Sequence, residues 1–155
     1  MELIIKDIPF GSRPNVERPN PDFLRVLTEE GMRDLISKHY DLLVKSPIQH
    51  LFPKDIKGLD RAKERAADFF IQICGGRPYF NEKHGSPMLV RRHESFSITE
   101  DARKVWLDCY RQILPKLNID EELILSFWEY LNVFSIWMVN TSNVTLGKIN
   151  ISDTE

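Results

Sequence analysis

Four histidines, His39, His50, His84 and His93, are the side chains best suited to bind a metal or move a proton near neutral pH. None pair as HxxxH or HExxH, the spacing that sets two imidazoles on one helix face for zinc. The cysteines, Cys74 and Cys109, match no CxxC pattern. Cys74 also lacks a basic neighbour in sequence that would make its thiol nucleophilic. Both read as free buried thiols, which suits a reducing compartment. No GxSxG, P-loop or GxGxxG occurs, so an ordinary hydrolase or nucleotide enzyme has little support.

His93 has three readings: an exposed surface residue, a satisfied core histidine or a metal ligand. A solitary histidine makes a poor zinc site, because zinc wants three or four protein ligands. It is enough for a haem, whose porphyrin already fills four positions around the iron. Tyr40 lies among apolar residues, either as core with its hydroxyl reaching the surface or as a donor to a bound ligand. Trp106 carries the same ambiguity between core filler and indole N–H donor.

The elements that must position these residues read as helices. Met32, Leu35, Ile36, His39, Tyr40 and Leu43 fall on one helical face behind Thr28, which the spacing predicts as an N-cap. Asn20-Pro21 opens a short helix before it, and Lys45-Ser46-Pro47 ends the run. Residues 48–53 form a turn or short helix that delivers Leu51 and Phe52. After a Lys57-Gly58 turn, Leu59, Ala62, Ala66, Phe69, Phe70 and Ile73 share a face, and Gly75-Gly76 supplies a left-handed stop. Residues 77–85 read as a structured loop, and Ser86-Pro87 as the start of a short helix ending near His93. Thr99 caps a helix that turns Ala102, Trp106, Cys109, Tyr110 and Ile113 inward and closes at Pro115. Asp120 caps a final helix striped by Ile124, Phe127, Leu131, Phe134 and Met138. No long segment alternates as a strand does, so the expected class is all-α.

The chain has 155 residues, 42% of them hydrophobic and 28% charged, which suggests one soluble domain able to bury roughly 70% of its unfolded surface. A net charge of −2 gives no reason to expect a nucleic-acid partner. The N-terminus has no long apolar run, so neither a signal peptide nor a membrane span is expected, and the location expected is cytoplasmic. The sequons at Asn140, Asn143 and Asn150 carry no weight without secretion. The organisation expected is an extended Pro-rich arm over residues 1–19, a domain over 20–140 and a polar tail over 141–155, with residues from 140 onward frayed.

From about Met32 to Asn140 the sequence resembles the second group of the truncated haemoglobins. The resemblance rests on a helix bearing Tyr40, a corner aromatic, a helix ending in Gly-Gly, and HGSPMLVRRHESFSI over residues 84–98. A tryptophan follows thirteen positions after the histidine of that last motif. The resemblance implies a 2-on-2 globin-like helical sandwich around haem b, with His93 as the iron ligand and Tyr40 and Trp106 as distal donors. By position, Phe52, Ala62, Ala66, Phe69, Phe70, Tyr79 and Leu89 would face the haem. Arg92 would pair with a propionate, and Arg65 is a second propionate candidate. The sequence departs from the family pattern at Ser86, where histidine is common, and at Ser95, where proline often stands. Ala66 is smaller than the usual leucine, and His39 replaces the common phenylalanine beside Tyr40.

The implied function is the binding of O₂, CO or NO, within an oxygen-binding and oxygen-transport class. Two distal donors imply slow O₂ release. Oxidation of nitric oxide or use of peroxide would make the protein an enzyme, and both need a reductase or other external redox partner. A monomer or a homodimer fits equally. The competing reading is a haem-free helical interaction module, in which Tyr40 and Trp106 are plain core.

Overall fold

The computed structural model describes residues 1–143. Among the described residues six α-helices follow in order: α1 (Asp22–Leu43), α2 (Ile56–Ile73), α3 (Tyr79–His84), α4 (Leu89–Arg92), α5 (Glu100–Ile113) and α6 (Glu121–Ile136). Single 3₁₀ turns lie at Gln49–Leu51 and Leu114–Lys116. No strand occurs among the described residues. Helix α1 packs on α2 and α5 on α6, and α1 bridges the two pairs by touching both α5 and α6.

Helix α1 is two helices joined at Thr28, whose backbone leaves the helical region at φ 74° and ψ 165°. Its hydroxyl accepts from the Gly31 N–H at 3.1 Å, so Thr28 caps the second half as the sequence predicts. The face behind it is inward, with Met32, Leu35, Ile36, His39 and Leu43 all buried. At the end of α2, Gly75 takes φ 94° and the Gly76 N–H reaches back to the Ile71 carbonyl at 2.9 Å. That six-to-one bond closes the helix. A Cβ on Gly76 would sit 2.7 Å from both Ile71 Cγ2 and Leu24 Cδ2, so this position needs glycine for close packing. The core between the pairs is aromatic-rich, with Phe23 stacked on Phe127 at 4.6 Å and Tyr110 wholly buried.

Several boundaries differ from expectation. Lys57-Gly58 lies inside α2 rather than in a turn, because Asp55 caps the helix by accepting from the Gly58 N–H at 2.9 Å. Residues 79–84 are helical rather than loop, held by a Gln72 side chain that accepts from Asn81 N–H and donates to its side chain. Ser86 caps nothing. Helix α4 starts later, at Leu89, just after Met88, which adopts a left-handed φ of 40°. Asp120 stands at the start of α6 without a side-chain capping bond.

The N-terminal arm is extended, yet it is strapped to α5 and α6. The Asn132 side chain pairs with it as a neighbouring strand would, accepting from Lys6 N–H at 3.0 Å and donating to Ile4 O at 2.7 Å. Trp128 and Trp137 each donate an indole N–H to an arm carbonyl, at Ile4 and Pro14. The expectation that fraying begins at residue 140 fails, because Asn140 and Thr141 are hydrogen-bonded to the Ile98 backbone. Residues 144–155, with the Asn150 sequon and most of the expected tail, lie outside the described residues.

Candidate functional site

A cavity of about 600 Å³ opens between the helix pairs, within the range of about 300–1,000 Å³ usual for cofactor and ligand pockets. Of the residues singled out from sequence, Tyr40, Phe52, Ala62, Arg65, Ala66, Phe69, Phe70, Leu89, Arg92, His93 and Trp106 all line it. Five elements contribute them: α1, the 3₁₀ corner, α2, α4 and α5. Tyr79 is not brought to this cavity. Its hydroxyl donates to Glu29 at 2.9 Å, and its ring is flanked by Arg33, Arg77 and Lys83.

His93 ends the one-turn helix α4. Its Nδ1 lies 2.7 Å from the Leu89 carbonyl, which can only accept, so Nδ1 carries the proton. Nε2 is then the lone-pair nitrogen, and no partner is found for it among the described residues. A backbone carbonyl fixing the tautomer in this way is the usual outer-shell arrangement of a metal-binding histidine. No cluster of three or more His, Cys, Asp or Glu side chains able to hold a metal occurs among the described residues. His84 also lines the cavity but is exposed, so His93, with its lone-pair Nε2, is the less exposed of the histidines lining it, which fits a cofactor that brings its other metal ligands with it.

Tyr40 and Trp106 bring two further polar groups to the cavity. Neither the Tyr40 hydroxyl nor the Trp106 indole N–H has a hydrogen-bond partner among the described residues, while Trp128 and Trp137 both do. Burial pushes the Tyr40 hydroxyl up to about 12, so it stays a donor across the physiological range. The Phe52 ring lies edge-on to Tyr40 at 5.6 Å.

His39 holds these two donors together. It is 1% exposed, and its Nε2–H donates to the Trp106 carbonyl at 2.9 Å. The imidazole stacks on Tyr110 at 3.5 Å and meets Trp106 edge-on at 5.2 Å. Burial pulls its pKa down to about 3, partly offset by the Trp106 hydrogen bond. His39 is therefore a neutral strut between α1 and α5.

Arg92 is less free than its predicted role requires. Its Nη2 donates to the carbonyls of His84 and Ser86, and Nε donates to Pro87. Only Nη1 is without a partner among the described residues. Arg65 is exposed at the cavity edge and makes no ion pair among the described residues.

Sequence reasoning missed Arg103, which is buried beside the cavity and spends five donor contacts on Ser135, Lys6 O, Glu100, Asn132 O and Asn132 Oδ1. Its spacing of three and four residues before Trp106 and Leu107 places it on the inward face, a signal masked by its charge. Phe80, His84 and Phe96 also line the cavity and were not anticipated.

A family model described as bacterial-like globin matches residues 25–140. The chain is 34% identical to Hell's gate globin IV, whose phosphate-bound crystal structure superposes with a TM-score of 0.82, covering 90% of this chain and 88% of that one. The group II truncated haemoglobin of Bacillus anthracis superposes with a TM-score of 0.73 at 28% identity, covering 78% of this chain and 98% of that one. A group 2 truncated haemoglobin of Bacillus subtilis is 29% identical over 113 residues, which is 72% of this chain and 83% of that protein.

Proposed function

Because the chain belongs to the bacterial-like globin family, as a group II truncated haemoglobin of 2-on-2 fold whose cofactor is haem, we propose that it holds haem through His93 and retains O₂ by donation from Tyr40 and Trp106. The observation that carries this reading is that His93, Tyr40 and Trp106 line one apolar cavity while His93 Nε2, the Tyr40 hydroxyl and the Trp106 N–H have no hydrogen-bond partner among the described residues. When bound, haem supplies an iron that takes O₂, CO or NO and can exchange electrons.

The chain's own residues do the rest. The Leu89 carbonyl keeps the His93 proton on Nδ1 and so keeps Nε2 available. Arg65 and the free Nη1 of Arg92 offer cationic partners for propionates at the cavity edge. Phe52, Phe69, Phe70 and Leu89 give apolar walls, with Ala62 and Ala66 leaving room. Tyr40 and Trp106 would each donate a hydrogen bond to a polarised diatomic ligand, and their O–H and N–H have no protein acceptor among the described residues. Such a bond is worth about 1.5–3 kcal/mol, so each donor slows release about tenfold or more.

Slow release suits sensing, scavenging or oxidative chemistry better than bulk transport. Oxidation of nitric oxide or reduction of peroxide by this protein would draw on an external reductase. Two free buried thiols fit a cytoplasmic setting, and no helix among the described residues is long and apolar enough to cross a membrane.

Stopped-flow measurement of O₂ release tests the reading. Tyr40→Phe and Trp106→Phe are each expected to speed release about tenfold. Release as fast in wild type as in both variants removes the proposal of slow release.

A further inference from the structure

Helix α4 has four residues, follows a left-handed Met88 and has no side-chain cap. A single turn of that kind does not hold its own shape. The position of His93 therefore depends on what grips the chain on either side. Upstream, the Arg92 guanidinium ties the carbonyls of residues 84 and 86. Downstream, a turn closed by the Phe96 N–H on the His93 carbonyl at 3.0 Å leads through residues 97–98, outside any helix, to the Thr99 cap of α5.

One side chain grips that downstream segment. Asn140 Nδ2 donates to the His93 carbonyl at 3.2 Å and to the Phe96 carbonyl at 2.9 Å. Its Oδ1 accepts from the Ile98 N–H at 2.9 Å and from the Thr141 hydroxyl at 2.9 Å. Both donor hydrogens and both acceptor sites of the amide are thereby filled. The backbone N–H groups of residues 140 and 141 add two bonds to the Ile98 carbonyl, at 2.9 and 3.0 Å. Asn140 is itself anchored, because Val139 before it is buried and its N–H bonds the carbonyl of Ile136, the last residue of α6, at 3.3 Å. The bracket thus runs from α6 to the peptide group of His93.

We propose that Asn140 is a positioning residue for His93, fixing the peptide from which the imidazole projects and so the strength with which that imidazole binds iron. This deepens the functional reading above and rests on it. Asparagine is the residue that supplies two donors and two acceptors at this reach. Aspartate would keep the acceptor toward Ile98 and set lone pairs against the His93 and Phe96 carbonyls. Alanine would remove all four side-chain contacts.

The test compares wild type, Asn140→Ala and Asn140→Asp, each loaded with haem. The readouts are the iron–histidine stretch in the ferrous protein by resonance Raman, haem transfer to an apoglobin acceptor, and amide exchange over residues 93–98. Outer-shell partners of metal ligands commonly change affinity by about 10–100-fold. The expected result is a lowered and broadened iron–histidine band in both variants, with haem loss about tenfold faster. Aspartate is expected to show the effect even though it keeps the Ile98 acceptor. An unmoved band and unchanged haem loss, with faster exchange over 93–98, would overturn the proposal, because the loop would then have loosened without reaching His93. A wild-type protein with haem but no iron–histidine band would instead bring down the assignment of His93, and this inference with it.

Discussion

Replacing His39 by phenylalanine should make the protein resist acid better, and the size of the effect follows from its burial. In the folded chain the imidazole is 1% exposed, touches Tyr40, Trp106 and Tyr110, and has its pKa lowered from 6.5 to about 3, chiefly by loss of hydration. Unfolded, it titrates at its ordinary value. As pH falls below 6.5 the unfolded chain binds a proton that the folded chain refuses. This group's stability contribution is therefore complete above 6.5 and is lost by about 1.4 kcal/mol per pH unit until about pH 3. At pH 5.0 the loss is about 2 kcal/mol.

Phenylalanine fills a similar space, forfeits the bond to the Trp106 carbonyl and titrates nowhere. At pH 7.5 it should lie within about 1.5 kcal/mol of wild type, the value of one buried hydrogen bond. Urea unfolding of both proteins at pH 7.5 and 5.0, with haem supplied equally, isolates the term because the other carboxylates and histidines cancel in the difference. The stability difference should move by about 2 kcal/mol toward the variant at pH 5.0. A difference that shifts by less than about 0.5 kcal/mol would falsify the picture of a neutral buried strut.

Arg103→Met should cost about 3 kcal/mol or more, read as a Tm fall of about 10 °C, because it strips partners from the arm carbonyl at Lys6 and from Asn132. Amide exchange at residues 3–6 should rise with it. Gly76→Ala should destabilise by about 1–3 kcal/mol in thermal unfolding, since its Cβ meets Ile71 Cγ2 and Leu24 Cδ2 at 2.7 Å. Burial pushes the Cys74 thiol up to about 12 and the Cys109 thiol up to about 11. Neither should react with a thiol reagent at pH 8 until denaturant is added, and prompt labelling of the native protein would contradict their burial.

The helical frame was readable because its period and punctuation agree. Thr28, Thr99 and Gly75-Gly76 announce helix ends by local chemistry, and the structure uses each of them as expected. The cavity residues were readable through the resemblance as a whole, which joins a helix bearing Tyr40, the motif around His93 and a tryptophan thirteen positions after that histidine. What the sequence concealed depends on long-range contacts. Arg103 looks like a surface charge in a charged run, and only the fold supplies the carbonyls of Lys6 and Asn132 that let it be buried. Asn140 looks like the start of a polar tail, because its partners at 93, 96 and 98 are more than forty residues away. Tyr79 shares an aromatic character with the cavity walls, yet Glu29 and three cations hold it elsewhere. Met88 carries no sequence sign of its left-handed backbone.

The visible spectrum of the ferrous, CO-exposed protein, prepared with haem supplied, tests the central claim most directly when wild type is set beside His93→Ala. A Soret band and a CO shift are expected in wild type, both collapsing in the variant, because His93 is the protein nitrogen that would hold the iron. A variant that keeps the wild-type spectrum would contradict the assignment of His93, and a colourless wild type would return the fold to a haem-free interaction module.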